Sequence, residues 1–289
     1  MIDPEIRELH DASRPHYVDP ALPRPVRLHI WHPPMSGDPA PPVVLVSHGS
    51  GGAARQMAWL AEPLAEAGFL AVAVDHHGNN FVDGYLPQGF TYLWERPRDL
   101  RFALDVLAAE RPLGPVGAAG FSAGGYTSAA LVGAVLDGDV LRAVVDRSVP
   151  LPEIPEFPDL IEALHAAVPA NALERAVAEG GRAQGDERVR AAFLVCPGAG
   201  DLVTGESLAG IDRPVGIRWG DADTVTPPGA HALRYLADVP GAEGRSAGAT
   251  TGHYDFLGDN PDGADARRGV AADAVAFFRT RLGRTARLS

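Results

Sequence analysis

Three stretches of this chain are apolar but for one end residue: "VVLVS" (43–47), "FLAVAVD" (69–75) and "RAAFLVC" (190–196). A strand with one wet face alternates apolar and polar residues. A run with no polar alternation belongs to a strand covered on both faces, as in a parallel sheet flanked by helices. Helical periodicity separates these runs. A helix is expected over 55–67, and in "RPRDLRFALDVLAAE" (96–110) Leu100, Ala103, Leu104 and Leu107 recur at helical spacing, with Pro97 suited to the first turn. Further strands are expected at 115–120, 141–146 and 214–219, and a weak one near 243–249. Helices are expected at 123–136 and 229–237, and an amphipathic helix at 264–282 closes the chain. "RPVRLHIW" (24–31) alternates, as a half-exposed antiparallel strand does. The expectation is an α/β chain with a mostly parallel central sheet and helices on both faces.

The 289 residues suffice for one large core. Residues 1–146 and 189–289 read as that core. Between them the alternation breaks into a Pro-, Glu- and Ala-rich stretch, and 147–188 is expected to be a small helical cap over one end of the sheet. The single cysteine, Cys196, rules out an internal disulfide and a thiolate metal cluster. All 25 basic residues are arginine, which excludes lysine Schiff-base and P-loop chemistry. The formal charge of −12 argues against nucleic acid and anionic membranes as partners. The start "MIDPEIRELHD" carries no secretory signal pattern, so a cytoplasmic location is expected.

In an open parallel sheet, ligands meet the carboxyl ends of the strands. Four signals fall there. Gly120-Phe121-Ser122-Ala123-Gly124 fits G-x-S-x-G between an expected strand and an expected helix. A turn this sharp strains the serine backbone and crowds the residues two positions to either side, so only very small ones fit. It leaves the hydroxyl exposed at a helix N-terminus, where developing negative charge is favoured. "SHGSGG" (47–52) follows a buried strand, and the N–H groups of Ser50 and Ala123 are the expected oxyanion donors. "WGDADTVTPP" (219–228) offers a carboxylate to orient a base histidine, with Asp223 favoured over Asp221. "TTGHYDFL" (250–257) places His253 in a loop before the last helix, whereas His231 lies inside an expected helix and is the poorer candidate. The order Ser…Asp…His is that of a hydrolase triad on a parallel sheet.

The segment 76–94 reads as a loop rich in aromatic residues. Phe81, Tyr85 and Trp94, with Phe121 beside the nucleophile, are the expected substrate-binding side chains, and Phe90 and Tyr92 belong to the same stretch. No ligand spacing supports a metal site at His48, His76 and His77.

"RPVRLHIWHPP", "VVLVSHGSGG", "AEAGFLAVAVDHHGN", "RPRDLRFALDVL", "GFSAGGY", "GDADTVTPP" and "GHYDFL" together resemble the α/β-hydrolase superfamily. More narrowly, they resemble its dienelactone-hydrolase-like group, which overlaps the platelet-activating-factor-acetylhydrolase-like and cutinase-like enzymes. The resemblance covers most of the chain except 147–190. It implies Ser122 as nucleophile, Asp223 as acid, His253 as base, and Ser50 and Ala123 as backbone donors. True dienelactone hydrolases carry a cysteine nucleophile where this chain has Ser122, and many relatives carry histidine where it has Phe121. The expected activity is cleavage of a small or medium carboxylic ester or lactone, without metal or organic cofactor. Acyl transfer or amide cleavage by the same triad is the alternative.

Overall fold

Seven strands, Pro23–Trp31 (β2) among them, build the sheet around the apolar runs, and an eighth, Glu5–Pro15 (β1), adds an edge. The computed structural model describes residues 2–34, 39–149 and 154–283. Residues 35–38 of the loop expected after β2, and residues 150–153 of the expected cap, lie outside the described residues. The fully buried runs form Val43–Ser47 (β3) and Leu70–Asp75 (β4). A two-residue ribbon pairs Asn79–Asn80 (β5) with Gly84–Tyr85 (β6). The remaining strands are Val116–Phe121 (β7), Val189–Val195 (β8), Val215–Trp219 (β9) and Glu243–Ser246 (β10). The sheet order is β1-β2-β4-β3-β7-β8-β9-β10; β1, β2 and β4 pair antiparallel, and every other neighbour is parallel. Strand β1 has no counterpart among the expected elements, because its exposed positions carry little apolar signal.

The helices are Ala58–Glu66 (α1), Pro87–Thr91 (α2), Glu95–Glu110 (α3), Ala123–Val132 (α4), Gly138–Val145 (α5), Leu160–Ala167 (α6), Ala170–Gly180 (α7), Gly205–Ala209 (α8), Ala232–Asp238 (α9) and Ala264–Leu282 (α10). Helix α1 packs on α10, and α3 on α4. Strand β7 shows how closely the two faces are covered. A Cβ on Gly117 would lie 2.5 Å from the Phe278 ring of α10, and a Cβ on Gly120 would lie 2.1 Å from the Gly124 carbonyl of α4. Adjacent strand positions alternate faces, so β7 is sandwiched, and small residues admit both helices.

Two expectations need correction. Residues 141–146 do not form a strand. They lie in α5 and its C-terminal end, because the Asp137 carboxylate caps the Asp139 and Val140 N–H groups and Leu141, Val144 and Val145 are buried at helical spacing. The 76–94 loop contains the short ribbon and α2, with Pro87 in the first turn. Helix α5 packs on α7, and α2 on α6, so the helices that follow α4 lie beside the aromatic segment.

Candidate active site

All parallel strands end at one edge, and the four sequence signals converge there. Ser122 stands at the turn from β7 into α4 with φ 55° and ψ −120°, a region that residues with a Cβ rarely adopt. The crowding expected of this turn is present. A Cβ on Gly120 would meet the Gly124 carbonyl at 2.1 Å, and a Cβ on Gly124 would meet the Ser47 carbonyl of β3 at 2.0 Å. The turn is also tied to the next strand, since Ser122 N–H donates to the Val195 carbonyl at 2.9 Å.

His253 opens a short 3₁₀ turn before α10, and its ring is buried. Its Nε2 lies 3.1 Å from Ser122 Oγ, and its Nδ1 lies 2.7 Å from Asp223 Oδ2. The Phe121 ring packs against the imidazole at a centroid distance of 4.7 Å. Asp223 follows β9 and is buried. Its Oδ1 accepts from the Val225 and Thr226 N–H groups at 2.9 and 2.8 Å, and its Oδ2 accepts from the Thr226 hydroxyl at 2.9 Å. Burial alone pushes the Asp223 carboxyl up. The hydrogen bond from His253, the histidine's charge and the Thr226 donors outweigh it and hold the carboxyl below its usual range. An ionised carboxylate therefore faces Nδ1, which fixes Nδ1–H and leaves Nε2 to accept a proton from Ser122.

The other acid and histidine candidates make no hydrogen bond to Ser122 or His253. Asp221 is exposed and accepts from the Trp219 indole N–H at 3.0 Å. His231 is the residue just before α9 and lines the same cavity, but its Nδ1 accepts from the Gly200 N–H at 3.0 Å.

The loop after β3 carries Ser50, whose N–H has no hydrogen-bond partner among the described residues. Ala123 is the first residue of α4, so its N–H is not used within the helix. Both residues line the cavity that Ser122 and His253 open into. The plane of the Gly49–Ser50 peptide is held from behind. His48 Nδ1 donates to the Gly49 carbonyl at 2.6 Å, while His48 Nε2 accepts from the His76 N–H at 3.2 Å. Carbonyl and N–H point opposite ways across a trans peptide, so a fixed Gly49 carbonyl fixes the direction of the Ser50 N–H. Burial pushes both His48 and His76 well below the ordinary histidine range, so both are neutral.

The cavity measures about 260 Å³, just under the roughly 300–1,000 Å³ usual for small-molecule sites. Trp94 and Phe121 line it, as does Phe90. Its far wall comes from α5, α6 and α7, through Leu141, Val144, Leu160 and Val177. Phe81 and Tyr85 do not line it, contrary to expectation. Phe81 is 36% exposed with the Arg55 guanidinium over its ring, and the Tyr85 hydroxyl donates to the Gly51 carbonyl at 2.9 Å. Tyr85 thus braces the Ser50 loop from outside. Tyr92 is buried against Trp94 and Tyr17 and is likewise absent from the lining.

Among the described residues, one group has the spacing to hold a metal ion: Cys196, Asp223 and His253, with ligand atoms within 4.8 Å of one another. Its carboxylate and imidazole are bonded to each other at 2.7 Å, and Cys196 is buried, so the arrangement fits proton handling better than metal ligation. Burial, and after it the Asp223 charge, pushes the Cys196 thiol well up, so it is protonated. His48 and His76 lie with ring centroids 4.9 Å apart, and their ring nitrogens are all engaged in hydrogen bonds. Thr226 was not foreseen. A threonine three residues after a turn aspartate is the local signal that points to it.

No family model and no curated protein sequence matches the chain. Solved structures do resemble it. A cold-adapted esterase from an Arctic intertidal metagenomic library aligns with a TM-score of 0.56 at 18% identity, over 96% of this chain and 94% of that one. A predicted CIB-like hydrolase from Thermoplasma acidophilum aligns at 0.54 and 13%, over 96% and 99%. A puromycin-hydrolysing peptidase from Mycobacterium tuberculosis aligns at 0.59 and 16%, over 98% of this chain but 40% of that one. No helix among the described residues is long and apolar enough to cross a membrane. The strand order, the strained serine between β7 and α4, and these likenesses lead to one conclusion: this chain has the α/β-hydrolase fold.

Proposed function

We propose that this protein is a serine hydrolase that cleaves carboxylic esters with a small or medium apolar acyl group. The observation that carries the reading is the unbroken line Ser122 Oγ, His253 Nε2, His253 Nδ1, Asp223 Oδ2, at 3.1 and 2.7 Å. His253 takes the hydroxyl proton as Ser122 Oγ attacks the ester carbonyl. The tetrahedral oxyanion accepts from the Ser50 and Ala123 N–H groups. His253 then protonates the departing alcohol, and water activated by the same imidazole frees the acid and restores Ser122. Asp223 stays ionised throughout and stabilises the imidazolium.

The apolar side chains that α6 and α7 bring to the cavity support the reading of 147–188 as a cap over the acyl pocket, with α5 of the core beside it, and the modest volume favours short to medium chains. Hydrolysis of a p-nitrophenyl ester series from acetate to palmitate tests the reading. Turnover should peak at short or medium chain length, and Ser122→Ala should abolish both turnover and labelling by a fluorophosphonate. A Ser122→Ala variant with wild-type turnover would refute it. The likeness to a peptidase makes aminoacyl p-nitroanilides the control substrates, and their preference over esters would move the reading to amide cleavage.

A further inference from the structure

Behind the Ser50 loop lies a buried polar cluster that the proposed reaction does not use. Arg96, near the start of α3, is 1% exposed. Its Nη2 donates to the His48 carbonyl and, at 3.3 Å, to Ser47 Oγ. Its Nε donates to Thr127 Oγ1 at 3.2 Å, and Thr127 lies in α4 five residues after Ser122. One guanidinium therefore bridges the loop that carries the Ser50 N–H and the helix that carries the Ala123 N–H.

The bridge has its own support. Ser47 Oγ lies 2.9 Å from His76 Nε2, and His76 Nδ1 lies 2.8 Å from Asp99 Oδ2. With His76 neutral, the hydrogens along this line run one way. His76 Nδ1–H donates to Asp99, Ser47 O–H donates to His76 Nε2, and Arg96 N–H donates to Ser47 Oγ. Arg14 lies 2.7 Å from the other Asp99 oxygen, in a charge contact too bent to count as a hydrogen bond. Ser47, His76 and Asp99 thus repeat the residue types of a triad. All three are sealed from solvent, so no substrate reaches them.

Arg96 makes no ion pair among the described residues, and its Nη1 has no partner. Burial pulls the guanidinium down to about 9, which leaves it protonated at neutral pH. A buried cation without a direct counter-ion is costly, and an apolar side chain would ordinarily serve the core better. Its place behind two N–H groups that face a developing anion gives a physical reason for keeping it.

We propose that Arg96 is a positioning residue for the oxyanion hole: it sets the spacing between the Ser50 and Ala123 N–H groups by holding the His48 carbonyl and Thr127 together. This rests on the ester-hydrolase reading. A loosened spacing should weaken transition-state binding and leave substrate binding nearly unchanged, because the oxyanion forms only after attack.

The test compares Arg96→Met, Arg96→Lys and Thr127→Val with wild type. It follows p-nitrophenyl butyrate kinetics, the rate of fluorophosphonate labelling of Ser122, and thermal unfolding. Arg96→Met should lower kcat by about 100-fold, the scale of losing one oxyanion donor, with KM changed by less than about threefold. Labelling should slow in parallel, because the phosphoryl oxygen uses the same N–H groups. Arg96→Lys should recover part of the loss by donating to His48 while failing to span to Thr127. Thr127→Val should lose about tenfold in kcat. A folded Arg96→Met with wild-type kcat and labelling rate overturns the inference, as does a variant that raises KM alone. If Arg96→Met does not fold, Arg96→Lys and Thr127→Val with undiminished kcat overturn it equally. Absence of labelling in the wild type removes the hydrolase reading and this inference together, whereas equal labelling of wild type and variants removes only the role of Arg96.

Discussion

Replacing Thr226 by valine removes one of the four hydrogen-bond donors to the Asp223 carboxylate. The side chain is buried, and its Oγ1 lies 2.9 Å from Asp223 Oδ2, 3.1 Å from His253 Nδ1 and 3.2 Å from the Cys196 carbonyl. A hydroxyl has one proton to give, and the charged Asp223 oxygen is the stronger acceptor. Valine is nearly isosteric, so no large cavity opens. Asp223 keeps three donors, His253 Nδ1 and the Val225 and Thr226 N–H groups, so it is weakened and not abandoned. A hydrogen bond to a charged group contributes about 1.5–3 kcal/mol. Expressed wholly in the transition state, that range corresponds to a loss of about 10- to 150-fold in kcat. With three donors left, the lower end is expected: about tenfold in kcat, little change in KM, and a modest fall in Tm. The assay is p-nitrophenyl butyrate hydrolysis under saturating conditions, with thermal unfolding in parallel. A cycle with Asp223→Asn isolates the route, since the second substitution should add far less than it costs alone if Thr226 acts through Asp223. A Thr226→Val enzyme with wild-type kcat, or one whose loss is undiminished in the Asp223→Asn background, would refute the reasoning.

Asp223→Asn should cost about 10⁴-fold in kcat by offering His253 the wrong hydrogen-bonding partner, while Asp221→Asn, which touches only the Trp219 indole, should stay within about twofold; comparable losses in both would undo the assignment. Gly124→Ala puts a Cβ 2.0 Å from the Ser47 backbone carbonyl and should end fluorophosphonate labelling, whereas Gly205→Ala meets nothing within 4 Å and should leave labelling intact. Asp75 accepts from the Ala54 N–H at 2.7 Å and lies 3.1 Å from His29 Nε2. Burial raises its carboxyl, but His29 and the other donors bring it from 3.8 down to about 2. Because the folded value is the lower one, this contribution to stability is present above about pH 4 and is lost as the pH falls toward 2. Asp75→Asn should therefore cost about 2 kcal/mol near neutrality, at 1.36 kcal/mol per pKa unit, and progressively less below pH 4; denaturant unfolding at several pH values measures it, and a penalty independent of pH would contradict the sign.

The parts of the fold and site legible in the sequence are those whose cause is local. Uninterrupted apolar runs marked β3, β4 and β8 because burial on both faces requires apolar residues at every position. The small residues around Ser122 marked the turn because its crowding acts two positions away along the chain. The span 264–282 was readable as α10 from its periodicity. Where two local signals competed, the reading erred. Residues 141–146 contain Val and Leu enough for a strand, yet a capping Asp137 and helical spacing of the buried side chains made them part of α5.

What only the tertiary structure decided is which distant side chains meet. Ser122 and His253 are 131 residues apart in sequence and 3.1 Å apart in space. The choice of Asp223 over Asp221 depends on which carboxylate the turn after β9 buries under the His253 ring. Arg96 and Thr226 carried no strong motif of their own, because their importance lies in partners supplied by other strands and helices. Phe81 and Tyr85 shared their aromatic character with Trp94, but only the path of the chain through the β5–β6 ribbon turned them away from the cavity. Residue type and near-neighbour spacing are written along one dimension, and they determine strands, turns and helix ends. Convergence at a site is a property of how those elements pack, and no short stretch of chain contains it.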